Sequence, residues 1–463
     1  MGATGELIEN RVFDELTPGL RAALRRVISM EDIQAFALVS GDINPAHVDT
    51  VYADASRFHG VIAHGMFAGA LISSLLGTEF PGPGTIYIGQ SLHFHRPVRL
   101  ADALLVEVVV IDCDAETKNV RLDCTVQNQH GELVVSGEAL VRAPTHKLAL
   151  PRVALPQLHL FDPEARLQHW LASLDVRTAL RCAVVHPCDE ESLRGALDAG
   201  RRGLIVPVLV GPVEKIQACA ERAGVSLQGV ELHDAAHSHA AAQAAAAMAA
   251  AGEVAMLMKG SLHTDELISA VLAEPALRTG RRLSHVFRFE VPTYAKPVLV
   301  TDAAINIRPS LEDKADIARN AIALAHALGV AQPRLAILSA VETVTPRLVS
   351  TLDAAALCKM ADRGQIQGAL LDGPLAFDNA ISAEAATVKG IQSPVAGQAD
   401  ILLVPDLESG NMLAKQLEYL AGAASCGVVL GAKIPIALTS RADNALSRAA
   451  SAALARLMAE EQP

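Results

Sequence analysis

The sequence lacks the features of a secreted or membrane-anchored protein. Its 7 cysteines include no Cys-x-x-Cys pair, and an odd set without such a pair fits reduced thiols better than a disulfide framework. Every long apolar run is broken by Gly, Pro or a charge before it reaches the ~20 residues that a transmembrane helix needs. The acidic start, MGATGELIENRVFDEL, lacks the apolar core of a signal peptide. We therefore expect a cytoplasmic protein without membrane association.

Signatures of nucleic-acid and nucleotide binding are also missing. The formal net charge is -12 and no stretch is dense in Lys or Arg, which argues against a nucleic-acid partner. Neither G-x-G-x-x-G at the start of a first β-α-β unit nor G-x-x-x-x-G-K-[ST] occurs, so neither a dinucleotide site nor a P-loop site is predicted. An anionic ligand would need a local positive site.

The first 142 residues have the pattern of an α+β domain. Residues 28–40 predict a helix with Ser29 as N-cap and Asp32 placed to complete a capping box. A second helix, at about 65–76, has almost no polar face, so we expect it to be wrapped by other structure. Strand-like stretches separated by turns then continue to residue 142, which predicts one helix against a curved antiparallel sheet.

The pattern changes twice after residue 142. Residues 143–170 hold four prolines and no sustained period, so we interpret them as an interdomain linker. From 171 to 463, strand-like and helix-like stretches alternate. Runs such as GLIVPVLVG and the ILLVP of DILLVPD are continuously apolar, which predicts strands buried on both faces of a mostly parallel α/β sheet. We therefore predict two to four domains in the 463-residue chain.

The loop at residues 40–47 holds the first set of candidate catalytic residues. Asp42 and His47 lie five residues apart with Asn44 between them, and they could act as a proton-transfer pair if the turn points both into one pocket. The alternative is an Asx turn before a helix, in which Asp42 is a cap and His47 lies on the surface.

Three stretches stand out between residues 36 and 108: FALVSGDINPAHVDTVYA, GVIAHGMFAGALISSLLG and IYIGQSLHFHRPVRLADALLVEV. They resemble the MaoC-like (R)-specific enoyl-CoA hydratases. The resemblance extends over nearly the whole of residues 30–142, and it implies a hotdog fold. It also implies that Asp42 and His47 hold and activate the water that adds to a trans-2-enoyl-CoA. The Gly65 N–H would bind the thioester oxygen at a helix N-terminus, with Ser73 in support and Asn44 orienting the loop.

Other interpretations of this domain remain open. A thioesterase of the same fold would lack the Asp-x-Asn-Pro-x-His loop, and a domain that only binds acyl-CoA would not need the full polar set. His93 and His95 share one face of a strand and could suggest a metal pair, but no third ligand lies nearby, so no metal is predicted. His64 is left outside the catalytic set.

Three stretches of the second half form a recognisable pattern: RTGRRLSHVFRFE, TDAAINIRPSLEDKADIARNAIALAHALG and KMADRGQIQGALLDGPLAFDNAIS. They resemble the phosphate acetyl/butyryltransferases, over most of residues 175–460. The resemblance implies two α/β subdomains with a cleft, no bound cofactor or metal, and acyl transfer between CoA and inorganic phosphate.

The same resemblance assigns roles near the C-terminus. Ser440 would hydrogen-bond the leaving thiolate, and Arg441 would stabilise phosphate or the carbonyl oxygen. Acetyl-specific members place an Asp seven residues after the serine as the thiol base, but Ser447 stands there. Asp443 is therefore the candidate base, and Lys259 is expected to add positive charge to the anion site.

We therefore predict a bifunctional acyl-CoA enzyme, with CoA thioesters and phosphate as its small-molecule partners. The alternative is that only one half is catalytic and the other is an acyl-CoA-binding or assembly module. Because hotdog domains pair with a partner to complete their sheets, we expect a homo-oligomer.

Overall fold

The computed structural model describes residues 7–153, 162–176, 178–439 and 443–461. The chain divides into two compact units, Met1–Phe161 and Asp162–Pro463. The helices of the first unit are α1 (Met30–Ser40), α2 (Pro45–Val48), α3 (Thr50–Ala55) and α4 (Gly65–Ser74). Its strands are β1 (Leu7–Glu9), β2 (Arg21–Val27), β3 (Ile86–Gln90), β4 (His93–Phe94), β5 (Ala103–Asp114), β6 (Asn119–Gln127), β7 (Leu133–Arg142) and β8 (Ala149–Pro151).

The main sheet of the first unit is antiparallel, with strand order β2-β5-β6-β7-β3 and with β4 also paired to β7. Alternate residues of β5 and β6 are buried, as period-2 strands with one face on a core require. Helix α4 packs Ala68 and Ile72 into the same core. The predicted α+β arrangement is confirmed, but α4 is covered on one side only, because Met66 is 59% exposed.

Regular structure occurs at both ends of the segment that we interpret as a linker, residues 143–170. Strand β8 pairs antiparallel with β1, with Leu150 opposite Ile8. Helix α5 (Pro163–Ser173) buries Leu167 and Leu171 in the core of the second unit. The described parts of this segment thus belong to one compact unit or the other.

The second unit alternates strands and helices. Its strands are β9 (Leu180–Val185), β10 (Ile205–Gly211), β11 (Glu231–Asp234), β12 (Met256–Lys259), β13 (Ser284–Glu290), β14 (Val298–Thr301), β15 (Arg334–Leu338), β16 (Leu370–Leu375), β17 (Ile401–Leu403), β18 (Ala424–Leu430) and β19 (Ile436–Ala437). After α5 its helices are α6 (Glu190–Arg201), α7 (Val213–Ala223), α8 (Ser238–Ala250), α9 (Thr264–Ala273), α10 (Leu311–Ala327), α11 (Val349–Asp362), α12 (Phe377–Ile381), α13 (Ala383–Val388), α14 (Leu407–Tyr419) and α15 (Ala445–Glu460).

These strands form one 11-stranded sheet, in the order β11-β10-β9-β12-β19-β18-β13-β14-β17-β15-β16. Parallel pairing runs through both halves of the sheet, and antiparallel β13 and β18 join the halves at the centre. Cys182 and Val184 of β9 pack beside α15, whereas Ala183 and Val185 pack on the other face beside α8. The predicted mostly parallel sheet, buried on both faces, is confirmed.

Within the described ranges, no helix combines the length and the apolarity that a membrane crossing requires.

All 7 cysteines lie in described ranges as free thiols. Burial raises the pKa of Cys124 and Cys188 to about 11 and that of Cys358 to about 12. Because the thiolate is the nucleophile, we expect iodoacetamide to modify these three thiols slowly in the native protein near neutral pH. All 7 should react quickly once the chain is unfolded. Mass spectrometry of timed samples measures both rates, and rapid native labelling of Cys124 would contradict the expectation.

Candidate active sites

The loop after α1 is built by local hydrogen bonds. Gly41 adopts the left-handed φ of 74° and its N–H bonds to the carbonyl of Ala37, which ends the helix. The Asp42 carboxylate accepts the Asn44 N–H at 3.2 Å, and the Asn44 side chain accepts the Ala46 N–H at 3.1 Å as the cap of α2. The Asx turn of our alternative interpretation is therefore present, but His47 is buried rather than on the surface.

The loop brings Asp42 and His47 together with a second imidazole. One polar side-chain atom from each of Asp42, His47 and His64 lies within 4.8 Å of the other two, and the two rings have centroids 4.0 Å apart. Asp42 is exposed while both histidines are buried. The trio is therefore a polar cluster that a ligand can reach from the side of Asp42.

The protonation pattern of the two rings follows from their backbone partners. His47 Nδ1 lies 2.8 Å from the Ile62 carbonyl, and His64 Nε2 lies 2.9 Å from the Asp42 carbonyl. Since a carbonyl only accepts, we assign the protons to these two nitrogens. His47 Nε2 and His64 Nδ1 are then the acceptors in the neutral rings, and the latter is buried without a partner among the described residues. Such acceptors, with the Asp42 carboxylate, suit the binding and deprotonation of water.

His64 is the residue of this site that sequence reasoning missed. It lies 22 residues from Asp42, and the only signal was its place directly before the glycine that opens an apolar helix. Two imidazoles and a carboxylate could also hold a divalent metal ion. His95, one of the two histidines that could suggest a metal pair in the sequence, lies instead with its Nε2 2.7 Å from the Ser136 Oγ.

Gly65 and Ser73 occupy different ends of α4. Gly65 is the first residue of the helix, directly after the N-cap His64, so its N–H belongs to the donors that have no partner inside the helix. A Cβ at this position would lie 3.3 Å from the Phe94 ring, which explains why a glycine fits here. Ser73 is exposed and lies about 12 Å further along the helix axis. Within the chain, the structure therefore groups Gly65 with the trio, but not Ser73.

The second candidate site lies at the carboxyl edge of the large sheet. Strands β12 and β19 are parallel neighbours with Met258 opposite Ala437. Lys259 and the segment after Ala437 therefore leave the sheet at the same edge. Lys259 is 4% exposed and its Nζ lies 3.5 Å from the Gly260 carbonyl. A Cβ on Gly260 would collide with the Val185 carbonyl, so this turn needs a glycine.

Ser440 and Arg441 lie outside the described residues, and their described neighbours locate the site. Thr439 is buried, and it lines a cavity of about 640 Å³. Asp443 is half-buried and its backbone carbonyl accepts a hydrogen bond from Arg448. The lining residues of the cavity are Thr264, Phe287, Ala304, Leu407, Glu408, Asn411, Met412, Lys415, Leu438 and Thr439. Larger cavities of about 940 and 760 Å³ lie elsewhere in the second unit, but this one is lined by Thr439, the residue that directly precedes the predicted catalytic pair in the sequence.

The cavity beside Thr439 combines two helix N-termini with an apolar wall. Helices α9 and α14 both begin at it, with Thr264 and Leu407, and helix N-termini carry partial positive charge. Lys415 lines the cavity and is paired with Glu418 at 2.7 Å. Glu408 adds a carboxylate to the same lining. Phe287 and Leu438 supply the apolar side. A site of this kind can hold an anionic group next to a short aliphatic group.

Two family models match the chain. Residues 16–130 match the model described as MaoC like domain, and residues 239–455 match the model described as phosphate acetyl/butaryl transferase. The first match covers Asp42, His47, Gly65 and Ser73. The second covers Lys259 and the segment with Ser440, Arg441 and Asp443.

Individual proteins are similar to parts of the chain. Phosphate acetyltransferase of Rhizobium meliloti is 58% identical over 277 residues, which are 60% of this chain and 88% of the relative. A branched-chain phosphotransacylase from Enterococcus faecalis V583 has a solved structure that is 29% identical with a TM-score of 0.53, covering 60% of this chain and 99% of that chain. R-Hydratase PhaJ1 from Pseudomonas aeruginosa, in the unliganded form, is 43% identical with a TM-score of 0.33, covering 34% of this chain and 100% of that chain.

The second unit has the fold and sequence of a phosphate acyltransferase. The chain belongs to the phosphate acetyl/butaryl transferase family and carries a MaoC-like domain ahead of its family domain. The predicted fusion and both predicted folds are confirmed.

Proposed function

We propose that the protein is a bifunctional acyl-CoA enzyme. Its first unit adds water to a trans-2-enoyl-CoA to give an (R)-3-hydroxyacyl-CoA, and its second unit transfers an acyl group reversibly between CoA and inorganic phosphate. The observation that carries the first activity is the convergence of Asp42, His47 and the N-terminus of α4. The second activity rests on membership of the family, with a cavity beside Thr439 at which two helices begin.

In the proposed hydration, Asp42 and His47 hold one water molecule and take a proton from it. The water oxygen forms a bond to C3 while the double-bond electrons move toward the thioester oxygen. The Gly65 N–H stabilises that oxygen, a donor role worth roughly 3 kcal/mol in acyl-transfer sites. The proton is then delivered to C2, so the product contains every atom of the water. Asn44 holds the loop in place by capping α2. Ser73 lies too far along α4 to contact the reacting groups within the same chain.

In the proposed acyl transfer, a phosphate oxygen bonds to the thioester carbonyl carbon and the CoA thiolate leaves. Arg441 stabilises phosphate or the carbonyl oxygen, and Ser440 donates a hydrogen bond to the leaving sulfur. In the reverse direction, Asp443 takes the proton of the CoA thiol. Lys259 contributes positive charge from the neighbouring strand. Every reactant in this scheme is a substrate, so the proposal uses no bound cofactor and no metal.

We also propose that the protein is a homo-oligomer. Strand β3 lies at one edge of the first unit's sheet, and its Ile86 and Ile88 are 57% and 46% exposed. Met66 on α4 is exposed as well. Open edge strands with apolar side chains are normally covered by a partner, and a second copy of the chain is the partner that we expect.

The test is wild-type activity on a series of saturated and enoyl-CoA substrates, with and without phosphate. We expect loss of the enoyl thioester absorbance without phosphate, and release of free CoA only with phosphate. Crotonyl-CoA with phosphate should give 3-hydroxybutyryl phosphate, because the hydration product is itself an acyl-CoA. Hydration without acyl transfer, or the reverse, would favour the alternative in which one unit is a binding or assembly module. If CoA is released only from saturated substrates, the hydration product is not a substrate of the second unit, and the two activities do not act in sequence.

A further inference from the structure

Arg448 spans the two ends of the segment that holds the predicted catalytic pair. This arginine lies in the first turns of α15 and is 1% exposed. Its Nη1 donates to the Thr439 hydroxyl at 2.9 Å, and its Nε donates to the Asp443 backbone carbonyl at 3.1 Å. Thr439 and Asp443 are the described residues on either side of residues 440–442. One planar guanidinium is therefore bonded to both flanks of the segment.

The helix that carries Arg448 is itself fixed. The Asn444 side chain caps α15 by accepting the Ser447 N–H at 2.9 Å, and the Arg448 N–H bonds to the Asn444 carbonyl at 3.1 Å. The stem of Arg448 passes over Gly195 of α6. A Cβ on Gly195 would lie 2.5 Å from Arg448 Cβ and 2.8 Å from Arg448 Cδ. The close approach of the two helices therefore requires a glycine at position 195.

The charge of Arg448 is compensated by nearby carboxylates. Burial lowers the pKa of Arg448, and Asp189, Asp443 and Glu191 oppose that shift. A guanidinium stays protonated even so. Burying a charge is costly unless hydrogen bonds repay it. A buried cation whose donors hold the two ends of a predicted catalytic segment is thus poorly explained by packing alone.

We propose that Arg448 is a positioning residue for phosphate acyl transfer. By holding Thr439 and Asp443 at a fixed separation, it keeps the cavity wall at Thr439 and the proposed thiol base Asp443 in place, while touching no substrate itself. This inference rests on the proposed function of the second unit. The fork geometry of arginine matters, because two bonds in one plane fix both distance and orientation, which a lysine ammonium cannot do.

The test compares R448A and R448M with wild type in phosphate-dependent CoA release. Because displacement of a reacting group by 1 Å can cost about 10²-fold in rate, we expect kcat to fall by that order in both variants. The KM for acyl-CoA should change by less than about threefold, since ground-state binding is kept. Added guanidinium ion should restore part of kcat in R448A, where the cavity is open, and none in R448M, where methionine fills it.

Arg456 offers a matched control on the same helix. It is 2% exposed, and its donors bond to the Leu204 carbonyl at 3.0 Å and to Glu460 at 2.6 Å. The R456M variant also removes a buried guanidinium, so its unfolding temperature should fall as that of R448M does. Its kcat should stay within about twofold of wild type, because no positioned reacting group depends on it.

Each outcome either supports or overturns the positioning role of Arg448. A low kcat with guanidinium rescue in R448A and a normal kcat in R456M supports the positioning role. An unchanged kcat in the Arg448 variants, or a loss that R456M shares and guanidinium does not restore, overturns it. If neither Arg448 variant folds, Thr439→Val decides, because it removes only the hydroxyl that accepts from Nη1. A lower kcat then supports the role, and an unchanged kcat overturns it. A wild type without acyl transfer refutes the proposed function, and the positioning role with it.

Discussion

Replacing Asp42 with Asn is expected to lower kcat for crotonyl-CoA hydration by about 10³-fold, since general acid–base groups typically contribute 10²–10⁴. The substitution removes the negative charge that holds the water and accepts its proton. It keeps an oxygen where Asp42 accepts the Asn44 N–H, so the loop should stay in place. Phosphate-dependent CoA release by the second unit should continue at the wild-type rate, and measuring both activities on one preparation shows the effect to be local.

Asp49 provides the control for this prediction. It lies in the same segment and caps α3 by accepting the Tyr52 N–H at 3.0 Å, but it is not a member of the Asp42–His47–His64 trio. Asn is as good a cap as Asp, so Asp49→Asn should leave hydration within about twofold of wild type. If Asp42→Asn hydrates as fast as Asp49→Asn, then Asp42 is only the cap of an Asx turn, and the proposed water-binding pair is wrong.

Local features of the fold could be predicted from the sequence because short-range forces decide them. Ser29 and Asp32 form the predicted capping box, with reciprocal bonds of 3.2 and 3.1 Å. Continuous apolar runs correctly indicated strands buried on both faces. A strand with both faces buried has apolar side chains at every position, so polar and apolar residues do not alternate along it. The capping contacts lie within a few residues along the chain, and the burial of the strands is visible in their own composition.

Features set by long-range packing could not be predicted from the sequence. Strand β13 runs antiparallel to both of its neighbours, yet a strand buried on both faces has the same composition in either direction. His64 joins Asp42 and His47 only because α4 begins against the loop. Arg448 is a buried cation in a helix, and nothing in its local sequence shows that its donors bond across residues 440–442. Sequence therefore supplied candidate catalytic residues, and the fold supplied the groups that position them.

Replacing Arg441 with Met is expected to lower kcat for phosphate-dependent acyl transfer by about 10²–10³-fold, the range found when one oxyanion donor is removed. The guanidinium is the planar, permanently charged group suited to phosphate or a developing carbonyl oxyanion. Methionine keeps much of its apolar volume and none of its charge. Arg441→Lys should fall between the two, because an ammonium keeps the charge and loses the fork. CoA release with phosphate, and acyl-CoA formation from acyl phosphate, measure both directions.

The competing explanation for Arg441 is a salt bridge with a neighbouring acid, and it predicts a different result. A structural ion pair would lower the unfolding temperature in Arg441→Met and leave kcat nearly unchanged. Arg281 serves as the matched control, because it is exposed and lines the separate cavity of about 940 Å³, so Arg281→Met should keep kcat within about twofold of wild type. Hydration by the first unit should be normal in both variants. If Arg441→Met transfers acyl groups as fast as Arg281→Met, the charge that stabilises the transferred group must come from another residue, and Lys415 is the cation in the described lining of the cavity beside Thr439.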